Sequence, residues 1–98
     1  MHYSSDRVFS MMIPGHKEPF VNGPYVPVRT IAALWKQGVR EEEIPQRFPG
    51  LTLGQVFMAL SYYCDHQAEL DAYTAAGILP PSVEELTQLY AGSEVTED

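Results

Sequence analysis

Leu53, Val56, Phe57, Leu60 and Cys64 recur at the three- and four-residue spacing of a single helical face, the cleanest apolar stripe in the chain. Breakers bound it, with Pro49-Gly50 before and Gly77 after. The spacing predicts a helix opening at Thr52, whose hydroxyl suits an N-cap. The helix runs on, or kinks near Asp65, through Leu70 and Tyr73 to Ala76. Val28, Ile31, Leu34 and Trp35 predict an earlier helix that starts after Pro27 and stops at Gly38. Between these two, Glu41 to Phe48 has an acidic first turn suited to a helix N-terminus. Pro45 removes a backbone donor there, so a short or partly 3₁₀ segment is expected. Ser82 and Glu85 have capping-box spacing and open a short last helix holding Leu86, Leu89 and Tyr90. From Gly92 the tail reads as acidic and frayed.

Ahead of the helices, residues 7–13 read as a strand with imperfect alternation, broken by Pro14-Gly15. Asn22-Gly23 sits between two short β-prone runs within Pro19 to Pro27. That arrangement predicts a tight hairpin, held to an edge or a short length by Pro24 and Pro27. Three helices with a tight turn before the third suggest a helix-turn-helix. The expected fold class is mainly α: a three-helix helix-turn-helix core, a short N-terminal β-hairpin and a C-terminal helical arm. The expected organisation is 1–27 for strand and hairpin, 28–76 for the helical core, and 77–98 for Pro-Pro linker, short helix and tail. Ile31, Leu34, Trp35, Ile44, Phe48, Leu53, Val56, Phe57 and Leu60 are expected to be buried by their spacing, and Cys64 to be a buried structural thiol.

The chain has 98 residues, 45% hydrophobic and 19% charged, ordinary for one globular domain. No apolar run reaches the roughly 18–20 residues of a bilayer span, and the first residues do not read as a secretory signal. The single cysteine, Cys64, allows no intrachain disulfide. A reducing, cytoplasmic setting is the natural expectation.

The net charge is −7, unevenly spread. All six basic side chains lie at or before Arg47, among five carboxylates; after Arg47 come eight carboxylates and no Lys or Arg. Phosphate binding needs positive charge, so any nucleic-acid contact belongs to the first half. Arg29, Arg40 and Arg47, with Lys36 nearby, are candidates to grip phosphates. Thr52 and Gln55, at the start of the long helix, are candidates to reach base edges. The alternative reading is an ordinary solvated surface.

Chemistry finds little support. His2, His16 and His66 are scattered, and Cys64 and His66 would point to different helix faces, so no metal site or cofactor is expected. The carboxylate runs Glu41-Glu42-Glu43 and Glu84-Glu85 sit at helix starts, where capping and dipole roles explain them. There is no phosphate loop and no nucleophile elbow. A non-enzymatic binding domain is expected. Leu70, Tyr73, Leu86, Leu89 and Tyr90, after Cys64, are candidate anchors for a partner's groove; the alternative is that they fold back onto the chain's own core. Adjacent Tyr62 and Tyr63 cannot both face one core, so one is expected exposed or at a dimer interface.

The chain also shows an ordered series of short motifs: Pro19, Gly23, Pro27 and Val28; Gly38; Glu42-Glu43-Ile44; Phe48-Pro49; Leu51-Thr52-Leu53; and Ala59-Leu60-Ser61-Tyr62. This series resembles the domain of unknown function 433 family, antitoxin-like helix-turn-helix proteins of toxin–antitoxin pairs. The resemblance implies a homodimer with a homeodomain-like or winged helix-turn-helix. It also implies that the dimer neutralises a PIN-like ribonuclease toxin and binds its operator DNA. The chain departs from the family pattern at Arg40, at Pro24-Tyr25, and in lacking any basic residue from Leu53 to Cys64. Those departures leave a second reading open: a dimeric protein-interaction adaptor that does not bind DNA.

Overall fold

The computed structural model describes residues 8–13 and 15–92, with only the backbone of 90–92. The tail after Gly92 and the side chain of Tyr90 lie outside the described residues. Three strands come first: β1 (Val8–Ile13), β2 (His16–Val21) and β3 (Val26–Pro27), antiparallel in the order β1-β2-β3. Gly15, with φ of +100°, supplies the left-handed residue of the turn that sets Ile13 opposite His16. The register then runs unbroken to Val8 opposite Val21. At the second turn the Tyr25 amide donates to the Val21 carbonyl at 3.0 Å, with Tyr25 itself at φ 57°.

Helix α1 (Val28–Lys36) follows β3 directly, its start set by the fixed φ of Pro27. It ends at Gly38, where the Val39 amide returns to the Leu34 carbonyl at 3.0 Å, closing the helix in a Schellman arrangement. Glu41–Arg47 is a 3₁₀ segment that accommodates Pro45. Helix α2 (Leu53–Asp65) opens with the Thr52–Gln55 capping box, each side chain bonded to the other's backbone amide. The predicted kink falls at His66, which separates α2 from α3 (Gln67–Ala75). Helix α4 (Val83–Gly92) starts on the Ser82–Glu85 capping box, at 2.8 and 3.0 Å.

The mainly α, helix-turn-helix expectation is corrected. Among the described residues the fold is α+β, and the sheet is part of the core rather than an appendage. Val21 and Val26 of the sheet pack in one cluster with Ile31, Ile44, Val56 and Leu70 from four helical elements. The second helical element is also 3₁₀, too tight and short for the supporting helix of such a motif. The physical reason is the segment His16–Val21. His16, Glu18 and Phe20 alternate with Lys17 and Pro19 as a strand does, and all but Lys17 are buried. No helix of the described residues is long and apolar enough to cross a membrane.

Ile31, Ile44, Val56 and Leu60 are buried as expected, and Leu34 and Phe48 pack half-buried against the cluster. Four expectations fail. Trp35, Leu53 and Phe57 are 37, 42 and 53% exposed. Cys64 is exposed rather than a core thiol. The cause is the width of the apolar arc on α2. Its inward face is supplied by Val56, Ala59, Leu60 and Tyr63, and successive residues turn by about 100°. Leu53, Phe57 and Cys64 therefore fall on the outward flank.

Candidate functional site

The most densely bonded polar cluster is buried beneath α3. Glu18 projects from β2 with none of its side chain exposed, and His16 and Arg29 beside it each expose 4% of theirs. Arg29 Nη2 donates to Glu18 Oε1 at 2.7 Å and Nε donates to Oε2 at 3.1 Å, a two-pronged pairing. The His16 Nε2 lies 2.7 Å from Glu18 Oε1. His16 Nδ1 is buried without a partner among the described residues. Arg29 Nη1 donates to the Ile78 carbonyl at 2.6 Å and to Thr74 Oγ1 at 3.2 Å. The Tyr73 ring lies under the guanidinium, 5.5 Å from Cζ, and meets the His16 ring edge-on. Gly77, at φ +83°, ends α3 so that the Ile78 carbonyl is available to Arg29. One cation thereby ties β2, α1 and the end of α3 together.

A second relay, with exposed Lys36 and half-exposed Asp71 meeting at buried Tyr63, joins α1, α2 and α3. Lys36 Nζ donates to Tyr63 Oη at 2.9 Å, and Tyr63 donates to Asp71 Oδ1 at 2.8 Å. The hydrogen bond from Tyr63, then the nearby Lys36 charge, hold the Asp71 carboxyl below the usual carboxylate range. The bond to Tyr63 raises Lys36. At the outer end of α3, Tyr73 donates to Glu69 at 2.9 Å, and that bond raises the Tyr73 phenol.

The nucleic-acid candidates do not converge. Arg29 is inside the fold and committed to Glu18, which corrects its reading as a phosphate contact. Gln55 is 9% exposed; its side chain caps α2 and donates to the Asn22 carbonyl at 3.3 Å, so it is not presented to a base edge. Thr52 is exposed, with its hydroxyl engaged in the same cap. Arg40 pairs with Glu42 at 2.9 Å, and that bond helps lower the Glu42 carboxyl after the larger backbone effect. Arg47 is exposed at the end of the 3₁₀ segment.

Of the partner-anchor candidates, Leu70 and Leu86 are 1 and 0% exposed and serve the chain's own interior. Tyr73 packs against that core and on Arg29. Leu89 is 50% exposed, on a groove of about 790 Å³ that also takes in Ile13, His16, Leu79 and Pro80. Tyr62 is half-buried and stacked on His66, whereas Tyr63 is buried. No group of three metal-ligating side chains occurs among the described residues.

Sequence reading missed His16 and Glu18. The signal was present as the alternation His16, Glu18, Phe20, which places a carboxylate in line with an aromatic on one strand face. Sequence reading also missed the outer side of α2. From Leu53 to Cys64 that helix carries no charged residue. Its outward positions are Leu53, Gly54, Phe57, Ser61 and Cys64, all exposed.

These features define a small α+β domain whose interior holds the Glu18–Arg29 ion pair and whose helix α2 turns an uncharged apolar face outward. Residues 16–63 match the family model described as Protein of unknown function (DUF433), which bears out the family name of the resemblance over that segment. No curated protein and no solved structure matches the chain.

Proposed function

We propose that this chain is a protein-interaction domain that engages a second protein through the outer face of α2, centred on Leu53 and Phe57. The observation that carries this reading is the exposure of those two side chains, one helical turn apart, on a stretch of twelve residues without charge. Isolated exposed apolar residues need no explanation. Here they form a stripe depleted of charge and holding an aromatic, the composition of an interface core. The chain around the stripe is acidic, with net charge −7. The complementary partner has an apolar patch with a basic rim, and the complex weakens with salt.

The family resemblance makes a PIN-like ribonuclease toxin the first partner to test, with this chain as its antitoxin-like binder. Operator DNA is left out of the reading, because Arg29 and Gln55 are spent on the fold itself. The test is titration calorimetry of the purified chain against a PIN-like nuclease encoded beside it. Leu53→Ser with Phe57→Asn should weaken binding at least a hundredfold while leaving the far-ultraviolet circular dichroism unchanged. Unchanged affinity in that folded double variant would overturn the proposal.

A further inference from the structure

The sheet has two margins of different character. β3 is two residues long and ends in Pro27, which has no amide hydrogen to offer. β1 is six residues, Val-Phe-Ser-Met-Met-Ile, with no charge, proline or glycine. Stable monomers blunt an edge strand with Lys, Pro or a bulge. β1 has none of these, and its pairing with β2 is continuous.

Backbone parity decides which groups face outward. Ile13 and His16 close a two-residue hairpin, and such a closing pair exchanges both backbone hydrogen bonds. Phe9, Met11 and Ile13 therefore direct their N–H and C=O groups to β2. Val8, Ser10 and Met12 direct theirs to the outer edge, which no strand of the described residues pairs, and their side chains share one sheet face. Met12 on that face is 74% exposed. Val8, four residues away, is half-buried and lines a groove of about 340 Å³ with Met58, Ser61, Tyr62 and Asp65 of α2.

We infer that β1 pairs antiparallel with β1 of a second copy about a two-fold axis at Ser10, joining two three-stranded sheets into one of six strands. In that register Ser10 faces its own counterpart, and Met12 of each copy lies opposite Val8 of the other. Each Met12 thereby reaches the mouth of the groove between β1 and α2. The occupant is a second copy because one strand carries both the protruding side chain and the recess, spaced symmetrically about Ser10. That is the self-complementarity a two-fold interface requires. The absence of charge on β1 also lets two chains of net charge −7 meet without opposing like charges on the paired strands.

The test uses the full chain with Cys64→Ser, so that introduced thiols are the only ones. Light scattering should give twice the chain mass, and adding Met12→Lys should raise the dissociation constant at least tenfold with unchanged circular dichroism. Ser10→Cys should oxidise to a disulfide-linked dimer, since residues directly opposed in such a pair have Cα atoms about 5.5 Å apart, within disulfide reach. Met11→Cys, off the axis, should not. A monomer at all attainable concentrations overturns the inference, and in that case a strand from another protein becomes the occupant of the edge. A dimer that Ser10→Cys fails to cross-link overturns it as well. Should Met12→Lys fail to fold, the cross-linking alone decides.

Discussion

The junction of β2, α1 and α3 and the outer flank of α2 distribute their side chains in opposite ways. At the junction Glu18, Arg29 and His16 are sealed from solvent; on α2 Leu53 and Phe57 face it. Charge inside and hydrocarbon outside is the reverse of the usual economy of a small domain. The contrast separates two tasks. The buried charges are bonded on several sides and fix how three elements meet, whereas the exposed apolar groups bond to little of their own chain and are available to another.

The largest effect should come from breaking the buried pair. Arg29→Met leaves the Glu18 carboxylate without its counter-charge and should destabilise by about 3–5 kcal/mol in chemical unfolding. Adding Glu18→Gln should recover part of that loss, because no uncompensated charge then remains; a purely additive double variant would show the two residues to be energetically independent. Next in size is the hydrocarbon interior: Leu70→Ala, at a residue once a candidate partner anchor, should cost about 2–5 kcal/mol. A melt unchanged by it would return Leu70 to the pool of surface anchors.

The smallest effect concerns the Lys36–Tyr63–Asp71 relay. Asp71 is held low in the folded state by Tyr63 and Lys36, so its contribution is present above the unfolded carboxylate value near 3.9. It is lost as pH falls through the lowered folded value. Lys36 is raised, so its contribution is present below about 10.4 and lost as pH rises through the raised value. Tyr63→Phe should therefore lower the melting temperature modestly between those two limits, where both contributions are present, and converge with the unsubstituted chain at the acid and alkaline ends. A uniform drop at every pH would assign the Tyr63 hydroxyl to packing instead.

Much of the local structure was legible in the sequence because it depends on short-range chemistry. The caps at Thr52 and Ser82, the stop at Gly38, the 3₁₀ form around Pro45 and the break near Asp65 all follow from residues within one turn. The fold class was not legible in the same way. His16-Lys17-Glu18-Pro19 contains two charges and a proline, which mask the alternation of the strand, and only Arg29 from α1 makes burial of Glu18 tolerable. That pairing spans eleven positions and leaves no local trace. The outer face of α2 was misread for a different reason. A helix that is apolar on two sides has the same spacing signature as one that is apolar on a broad single side, and nothing in Leu53 to Cys64 marks which flank meets the core. The same ambiguity turned Phe57 into a core aromatic.

Paired chemical unfolding of Arg29→Met and Phe57→Asn weighs the buried charge against the exposed aromatic. A loss of about 3–5 kcal/mol is expected for Arg29→Met and no more than about 1 kcal/mol for half-exposed Phe57→Asn. A near-neutral Arg29→Met together with a loss of several kcal/mol for Phe57→Asn would contradict it, placing the cation at the surface and the aromatic in the core.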